Sequence, residues 1–244
     1  MRPGYFSKKT ALPFNEITRS VNKLAMRIFS FLFRLFRGIY RKVHRASCAL
    51  ITRLVLNGNQ VKYGKGLVSN GIPKIDVDQD GIMKIGENFR MNNGLNYNKI
   101  GRQQPCYFIV GKDATLTIGD NTGISATAIV CRVKVTIGNN VKIGGNTVIC
   151  DTDFHSLDHL LRADKIKDKA NTKNAAVTIG SDAFIGAHST ILKGVTIGEG
   201  AIIGAASVVT GYVPAYEIWA GNPARFIKNA VISEQMEALL NDIK

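Results

Sequence analysis

A six-residue beat constrains this chain more than any other feature. Ile179, Ile185, Ile191, Ile197, Ile203 and Val209 stand six apart without a miss, and Gly180, Gly186, Gly198 and Gly204 follow four of them. The beat also runs through Ile137, Ile143 and Ile149, with Gly138 and Gly144 behind the first two. A helix needs apolar residues three and four apart, and a half-buried strand needs them at every second position. Period six fits a parallel β-helix, in which three hexads close one triangular coil and the aliphatic residue of each points inward. One coil cannot bury its apolar residues alone, so stacking supplies the stability.

The repeat begins weakly near Ile72. Ile85-Gly86 and Ile118-Gly119 open hexads, with Ile124 and Val130 following in phase. The step from Val130 to Ile137 is seven, which predicts a corner with one extra residue. Between Ile149 and Ile179 the beat is lost in a polar, charge-dense stretch. Its in-phase slots, Lys167 and Lys173, cannot fill a narrow apolar interior unpaired. Residues 156–175 therefore read as a loop thrown out of the prism, and long ordered loops of this kind are commonly functional. After Val209, Pro214 and Pro223 are expected to stop regular pairing. A short helix is expected from Ser233 to Ile243 as a terminal cap.

Charge divides the chain. From Met1 to Gly66 there are fourteen Lys or Arg and one acid, Glu16, a net +13 out of +14 for the whole protein. The remainder is near neutral, so the basicity belongs to one terminal segment. On a helical projection of residues 23–45, Lys23, Arg27, Arg34, Arg37, Arg41 and Arg45 share one face. Ile28, Phe29, Leu32, Phe33, Phe36, Ile39, Tyr40 and Val43 cover the other. An aromatic-rich apolar face opposite a basic one describes a helix lying in a membrane interface, drawn to anionic head groups. Packing of that face on the prism or on another subunit is the second reading, and nucleic acid is not expected. The organisation expected is a basic amphipathic helical segment over 1–66, a β-helix over 67–214 and a C-terminal cap and helix over 215–244. The fold class is mainly β.

Cys48, Cys106, Cys131 and Cys150 lack C-x-x-C spacing, which predicts free thiols in a reducing compartment. The start of the chain does not read as a signal peptide, and no run of about eighteen apolar residues reads as a spanning helix. The expected location is the cytoplasm, peripheral on the inner face of the membrane.

The run Val177-Thr-Ile-Gly, Ile191-Leu-Lys-Gly-Val-Thr-Ile-Gly, Ile203-Gly-Ala-Ala-Ser-Val-Val-Thr, Val213-Pro and Gly221-Asn-Pro-Ala-Arg resembles the hexapeptide-repeat acyltransferases. The resemblance spans about residues 70–230 and is nearest to the sugar O-acetyltransferases of the galactoside and maltose acetyltransferase type. It implies a left-handed coil, an exception to the usual crossover hand. The first 60 residues depart from the galactoside-type pattern.

The resemblance further implies acetyl-CoA as co-substrate, lying in the groove between two prisms of a homotrimer. His155, at the break in the repeat, matches the catalytic histidine. A backbone N–H at Ala187 would face the thioester carbonyl, Ala205 would contact the pantetheine arm, and Thr210 would lie further along it. Arg225 and Lys228 match two basic residues near the nucleotide phosphates. Imidazole suits proton transfer from an acceptor hydroxyl at neutral pH, and a backbone N–H suits the developing oxyanion. Asp153 or Asp158 would hold the imidazole tautomer. Asn92 and Asn93 offer hydrogen bonds to an acceptor, expected to be a sugar, a polysaccharide precursor or a lipid-linked saccharide.

Other classes share the scaffold. A serine or streptogramin acetyltransferase would use the same machinery, and a non-catalytic hexapeptide protein would keep only the coil. A zinc carbonic anhydrase would use three histidines such as His155, His159 and His188. That reading leaves the C-terminal motif unexplained, and no metal is expected.

Overall fold

The computed structural model describes residues 14–98, 100 and 104–230. Contacts divide the chain into two units, Met1–Ala46 and Ser47–Lys244. Most of the first unit belongs to helix α1 (Phe14–Gly58), which is continuous well beyond the expected 23–45 and runs on into the second. At 1.5 Å per residue it is about 68 Å long. On it Phe29 and Phe33 stack at 6.4 Å, and Arg37 lies 5.6 Å from the Phe33 ring centroid.

The second unit is a three-faced prism. One face stacks β1 (Lys62–Tyr63), β4 (Ile82–Ile85), β7 (Thr115–Ile118), β10 (Lys134–Ile137), β13 (Val177–Ile179) and β16 (Thr196–Ile197). The next stacks β2 (Val68–Asn70), β5 (Arg90–Asn92), β8 (Gly123–Ser125), β11 (Lys142–Ile143), β14 (Phe184–Ile185), β17 (Ile202–Ile203), β19 (Glu217–Gly221) and β20 (Ala224–Asn229). The last stacks β3 (Lys74–Val77), β6 (Tyr107–Val110), β9 (Ala128–Cys131), β12 (Val148–Cys150), β15 (Thr190–Ile191) and β18 (Val208–Val209). We call these the first, second and third faces. Every pairing between coils is parallel, and in-phase aliphatics sit directly above one another: Ile137 on Ile179, Ile143 on Ile185, Ile149 on Ile191. Ile179, Ile185, Ile191, Ile197, Ile203 and Val209 are all buried, as the hexad phase predicts. Where a glycine follows the aliphatic residue, it serves the corner. A Cβ on Gly186 would come within 2.5 Å of the Ala205 nitrogen in the coil above, so only a hydrogen fits.

The structure departs from the hexad reading at three places. First, coiling starts at Lys62, earlier than expected, and Ile72 is exposed while Ile75 points inward. The last turns of α1 lay Cys48, Thr52 and Leu56 into the core, spaced four apart on one helix face. Second, Val130 is half-buried, and Ile129 and Cys131 take the interior. The irregularity is a five-residue step from Ile124 to Ile129, made possible by Ala126 at a φ of 45°, followed by an eight-residue step to Ile137. The extra corner, Arg132–Lys134, is held by the buried carboxylate of Asp151. It accepts hydrogen bonds from the backbone N–H groups of Arg132, Val133 and Lys134 at 2.7, 2.7 and 2.8 Å. Third, pairing does not stop at the prolines. β19 pairs parallel with β17, and β20 turns back antiparallel on β19. The helix expected over Ser233–Ile243 lies outside the described residues.

The four cysteines are buried thiols outside any disulfide. Burial pushes the Cys106 and Cys131 thiols up to about 12, with the Asp151 carboxylate adding to the effect at Cys131. They behave as core hydrophobes rather than as nucleophiles.

Candidate functional site

The loop leaves the corner between the third and first faces. Its root is closed by an antiparallel bridge between Thr152 and Asn174, by the Asp153 N–H on the Lys173 carbonyl at 3.0 Å, and by the Ala175 N–H on the Asp151 carbonyl at 2.9 Å. Within it are two short helices, α2 (His159–Arg162) and α3 (Lys165–Asn171). Asp158 caps the first, accepting from the Leu160 N–H, and Asp164 caps the second, accepting from Ile166 and Lys167. Arg162 reaches back to the Ser156 carbonyl at 2.8 Å. The loop is thus a folded appendage with its own internal bonding.

His155 stands on this appendage with its side chain 67% exposed, and its Nδ1 lies 2.7 Å from Asp168 Oδ2. The other Asp168 oxygen accepts from the Ser156 N–H at 2.6 Å. These two bonds, the one with His155 foremost, hold the Asp168 carboxyl below its ordinary value of 3.8. An ionised carboxylate only accepts, so Nδ1 carries the proton and Nε2 is left as the basic nitrogen.

This corrects the expected partners of His155. Asp158 is spent on capping α2, and Asp153 pairs with Lys193 Nζ at 2.8 Å. The orienting carboxylate comes from α3, thirteen residues downstream. Asp168 lies inside what reads from sequence as an undivided run of charges, and only the pair of N-capping aspartates hints that the run folds.

The expected acceptor-binding asparagines are also reassigned. Asn93 is buried, its Oδ1 accepting from the Cys106 N–H at 2.8 Å and its Nδ2 directed at Ser69 Oγ and the Asn70 carbonyl. Asn92 is a rung in a ladder, accepting from Asn70 at 2.9 Å and donating to Ser125 at 3.0 Å. Both amides satisfy a corner, where a coil needs polar groups bonded along its axis.

The remaining site residues fall on two different corners. Ala187 and Ala205 follow β14 and β17, at the corner between the second and third faces, one coil apart. Thr210 follows β18, at the same corner as the loop that bears His155. Arg225 and Lys228 lie on β20 at the C-terminal end of the second face, both exposed, with Arg225 Nη1 donating to the Ala224 carbonyl. The Ala187 N–H donates to no group among the described residues. Five residues separate Ala205 from Thr210, roughly 16 Å of extended chain. On one prism the loop bearing His155 and the Ala187 N–H therefore leave different corners.

Among the described residues no cluster of three His, Cys, Asp or Glu side chains is arranged to hold a metal ion. His155 is engaged by Asp168, His159 begins α2, and His188 sits on the other corner with Asn146 Nδ2 3.4 Å from its Nδ1.

Residues 176–211 match the model described as bacterial transferase hexapeptide (six repeats). The chain is 30% identical over 156 residues to the putative lipopolysaccharide biosynthesis O-acetyl transferase WbbJ of Escherichia coli K12, covering 62% of this chain and 74% of that one. A stretch of 62 residues is 52% identical to a probable macrolide acetyltransferase of Lysinibacillus sphaericus, covering 25% of this chain and 34% of that one. Among solved structures, a variant of the Bacillus cereus N-acyltransferase AntD, in complex with dTDP and coenzyme A, superposes with a TM-score of 0.54. It is 25% identical, covering 75% of this chain and 90% of that one. With the stacked parallel coils, the extruded loop and its histidine already in place, these likenesses establish that the chain belongs to the hexapeptide-repeat acyltransferases of the left-handed β-helix fold.

Proposed function

We propose that the protein is an O-acetyltransferase that moves an acetyl group from acetyl-CoA to a hydroxyl of a saccharide. The observation that carries this reading is the His155–Asp168 pair, on an appendage at the break in the repeat. Asp168 fixes the tautomer, so Nε2 takes the acceptor hydroxyl's proton as that oxygen attacks the thioester carbonyl. The Ala187 N–H receives the oxyanion, and the imidazolium returns its proton to the departing thiolate. Coenzyme A is assigned to Ala187, Ala205 and Thr210, with Arg225 and Lys228 at its phosphates. A lysine at the last place keeps the charge and loses the planar fork. The relatives named for lipopolysaccharide biosynthesis and for coenzyme A support this choice of donor and acceptor class.

The split of the site over two corners supports a homotrimer. Three prisms packed corner to corner put the His155 of one copy opposite the Ala187 N–H of the next, three times over. The exposed apolar side chains of the loop, Leu157, Leu160 and Ile166, give that contact an apolar component.

No helix of the described residues is long and apolar enough to cross a membrane. The exposed Phe29, Phe33 and Phe36 beside a basic face support a helix lying on an anionic surface, at the inner face of the cytoplasmic membrane. A lipid-linked saccharide acceptor fits that location.

The test is thiol release from acetyl-CoA by the purified protein against saccharide, serine and macrolide or streptogramin acceptors. Release with a saccharide, lowered roughly 10²- to 10⁴-fold by His155→Ala with coenzyme A affinity retained, supports the proposal. Unchanged turnover in His155→Ala removes that residue from the mechanism.

A further inference from the structure

Beneath the loop, on the corner between the third and first faces, lies a cavity of about 490 Å³. Its walls carry four cations, Lys112, Arg132, Lys165 and Lys169, against two acids, Asp78 and Asp168. Asp168 is already committed to His155 and Ser156. Lys112 has only a distant exposed neighbour, Asp80, at 3.9 Å. Arg132, Lys165 and Lys169 have no ion-pair partner among the described residues.

The wall of the cavity carries a net positive charge. Lys165 and Lys169 stand four apart on α3, a like-charge spacing that weakens a helix. Facing them, Lys112 and Arg132 come from turns one coil apart on the prism corner. The Arg132 side chain is exposed but lies along the prism surface. It lies over Gly111, where a Cβ would meet its Nη1 at 3.0 Å and its Cδ at 3.1 Å. That position places the guanidinium beside the turn that carries Lys112. A planar fork and three ammonium groups around one cavity match the oxygens of phosphate. The space is larger than one phosphate needs, and Phe154, half-exposed on the wall, adds an apolar surface.

We propose that this cavity binds the phosphate or diphosphate of the acceptor, which makes the acceptor a phosphate-bearing saccharide. The inference rests on the acetyl-transfer reading for the word acceptor alone. Asp168 lines the cavity and bonds His155, and Phe154 precedes His155, so a phosphate anchored here holds its attached sugar next to the catalytic imidazole. The phosphate belongs either to a nucleoside diphosphate sugar or to a diphosphate-linked lipid, since the chemistry recognised is the same.

The experiment is calorimetric titration of the intact protein with inorganic pyrophosphate in the presence of saturating coenzyme A, which fills the cofactor end. Binding is expected, with affinity lowered at least about tenfold by Arg132→Gln combined with Lys169→Gln, and lowered less when Lys169→Arg takes the place of Lys169→Gln. Both side chains are exposed, so the variants keep the fold. Pyrophosphate that binds only when coenzyme A is absent, or that binds the double variant equally, overturns the inference. Displacement of pyrophosphate by a soluble nucleoside diphosphate hexose identifies the nucleotide source. Displacement only by neutral-lipid vesicles doped with a polyprenyl diphosphate identifies the lipid source. Thiol release from unphosphorylated acceptors at full kcat/KM, unchanged in the double variant, rejects the subsite while leaving acetyl transfer intact. Pyrophosphate binding without thiol release to any acceptor does the reverse.

Discussion

Asp168 acts twice with one carboxylate, and in the proposed reaction the chemistry of the loop turns on it. One oxygen fixes the His155 ring and the other fixes the backbone at Ser156, so ring orientation and loop conformation share one carboxylate. Asp168→Asn keeps the shape but presents an amide where the ionised acceptor stood. We expect kcat to fall by up to about 10⁴-fold, the cost of an Asp→Asn change that leaves a general-base imidazole in the wrong tautomer, with coenzyme A affinity unchanged. Steady-state kinetics on both substrates checks this. The pH dependence follows from the lowered carboxyl. A group whose folded value lies below its unfolded value, near 3.9, contributes stability that is fully present above the unfolded value. That contribution is lost as pH falls through the lower folded value. Protection of the Ser156 amide against hydrogen exchange should therefore stay level from neutrality to about pH 4 and fall below it. In Asp168→Asn that acid-side loss should vanish. None of this was readable from spacing, because two short helices bring residues 155 and 168 together across a stretch without periodicity. The asparagines erred the other way. Asn92 and Asn93 look like free hydrogen-bonding groups in a linear sequence, and the stacking of coils consumes them.

At the scale of elements, the hexad beat was legible because each in-phase aliphatic has one environment, the prism interior, repeated every coil. The irregular corner was not, because a five-residue step followed by an eight-residue step differs from a single inserted residue only in which neighbours turn inward. Asp151 shows how the structure tolerates it. Its carboxylate replaces the next coil as acceptor for three consecutive N–H groups, at the point where the loop interrupts stacking. Asp151 is thus a structural plug for the gap that the extruded loop creates. Asp151→Ala leaves those part-buried donors without their acceptor, and we expect a loss of about 1–3 kcal/mol. Chemical denaturation should show a lowered midpoint at unchanged slope. The loop root would loosen with it, since Ala175 bonds the Asp151 carbonyl, so turnover should fall more than coenzyme A affinity. Equal stability of wild type and Asp151→Ala would refute the plug.

At the scale of the whole molecule, α1 serves two environments within one continuous helix. Its last turns bury Cys48, Thr52 and Leu56 in the prism unit, whereas Val21 to Val43 leave a long series of large apolar side chains exposed. Charge and aromatic patterning announced the exposed portion. The buried portion escaped notice, since three residues spaced four apart are too few to stand out beside the hexads. The division gives a sharp truncation test. Removing residues 1–46 leaves the capping turns in place and should preserve thermal stability. Removing residues 1–60 also deletes Leu56, whose loss alone is comparable to a buried Leu→Ala change of roughly 2–5 kcal/mol, and should destabilise the prism or prevent its isolation. Lipid binding should separate from stability in the same pair. The full chain should co-sediment with anionic vesicles, less so at raised salt, because screening weakens attraction between cations and head groups. The 47–244 chain should stay in the supernatant at every salt concentration. Substituting Phe29, Phe33 and Phe36 by Ser in the full chain should weaken sedimentation even at low salt, because it removes apolar area while every cation remains. Equal sedimentation of the full and 47–244 chains would reject membrane docking by α1. Loss of trimers in the 47–244 chain, with vesicle binding unaltered, would assign the exposed aromatic face to contacts between copies.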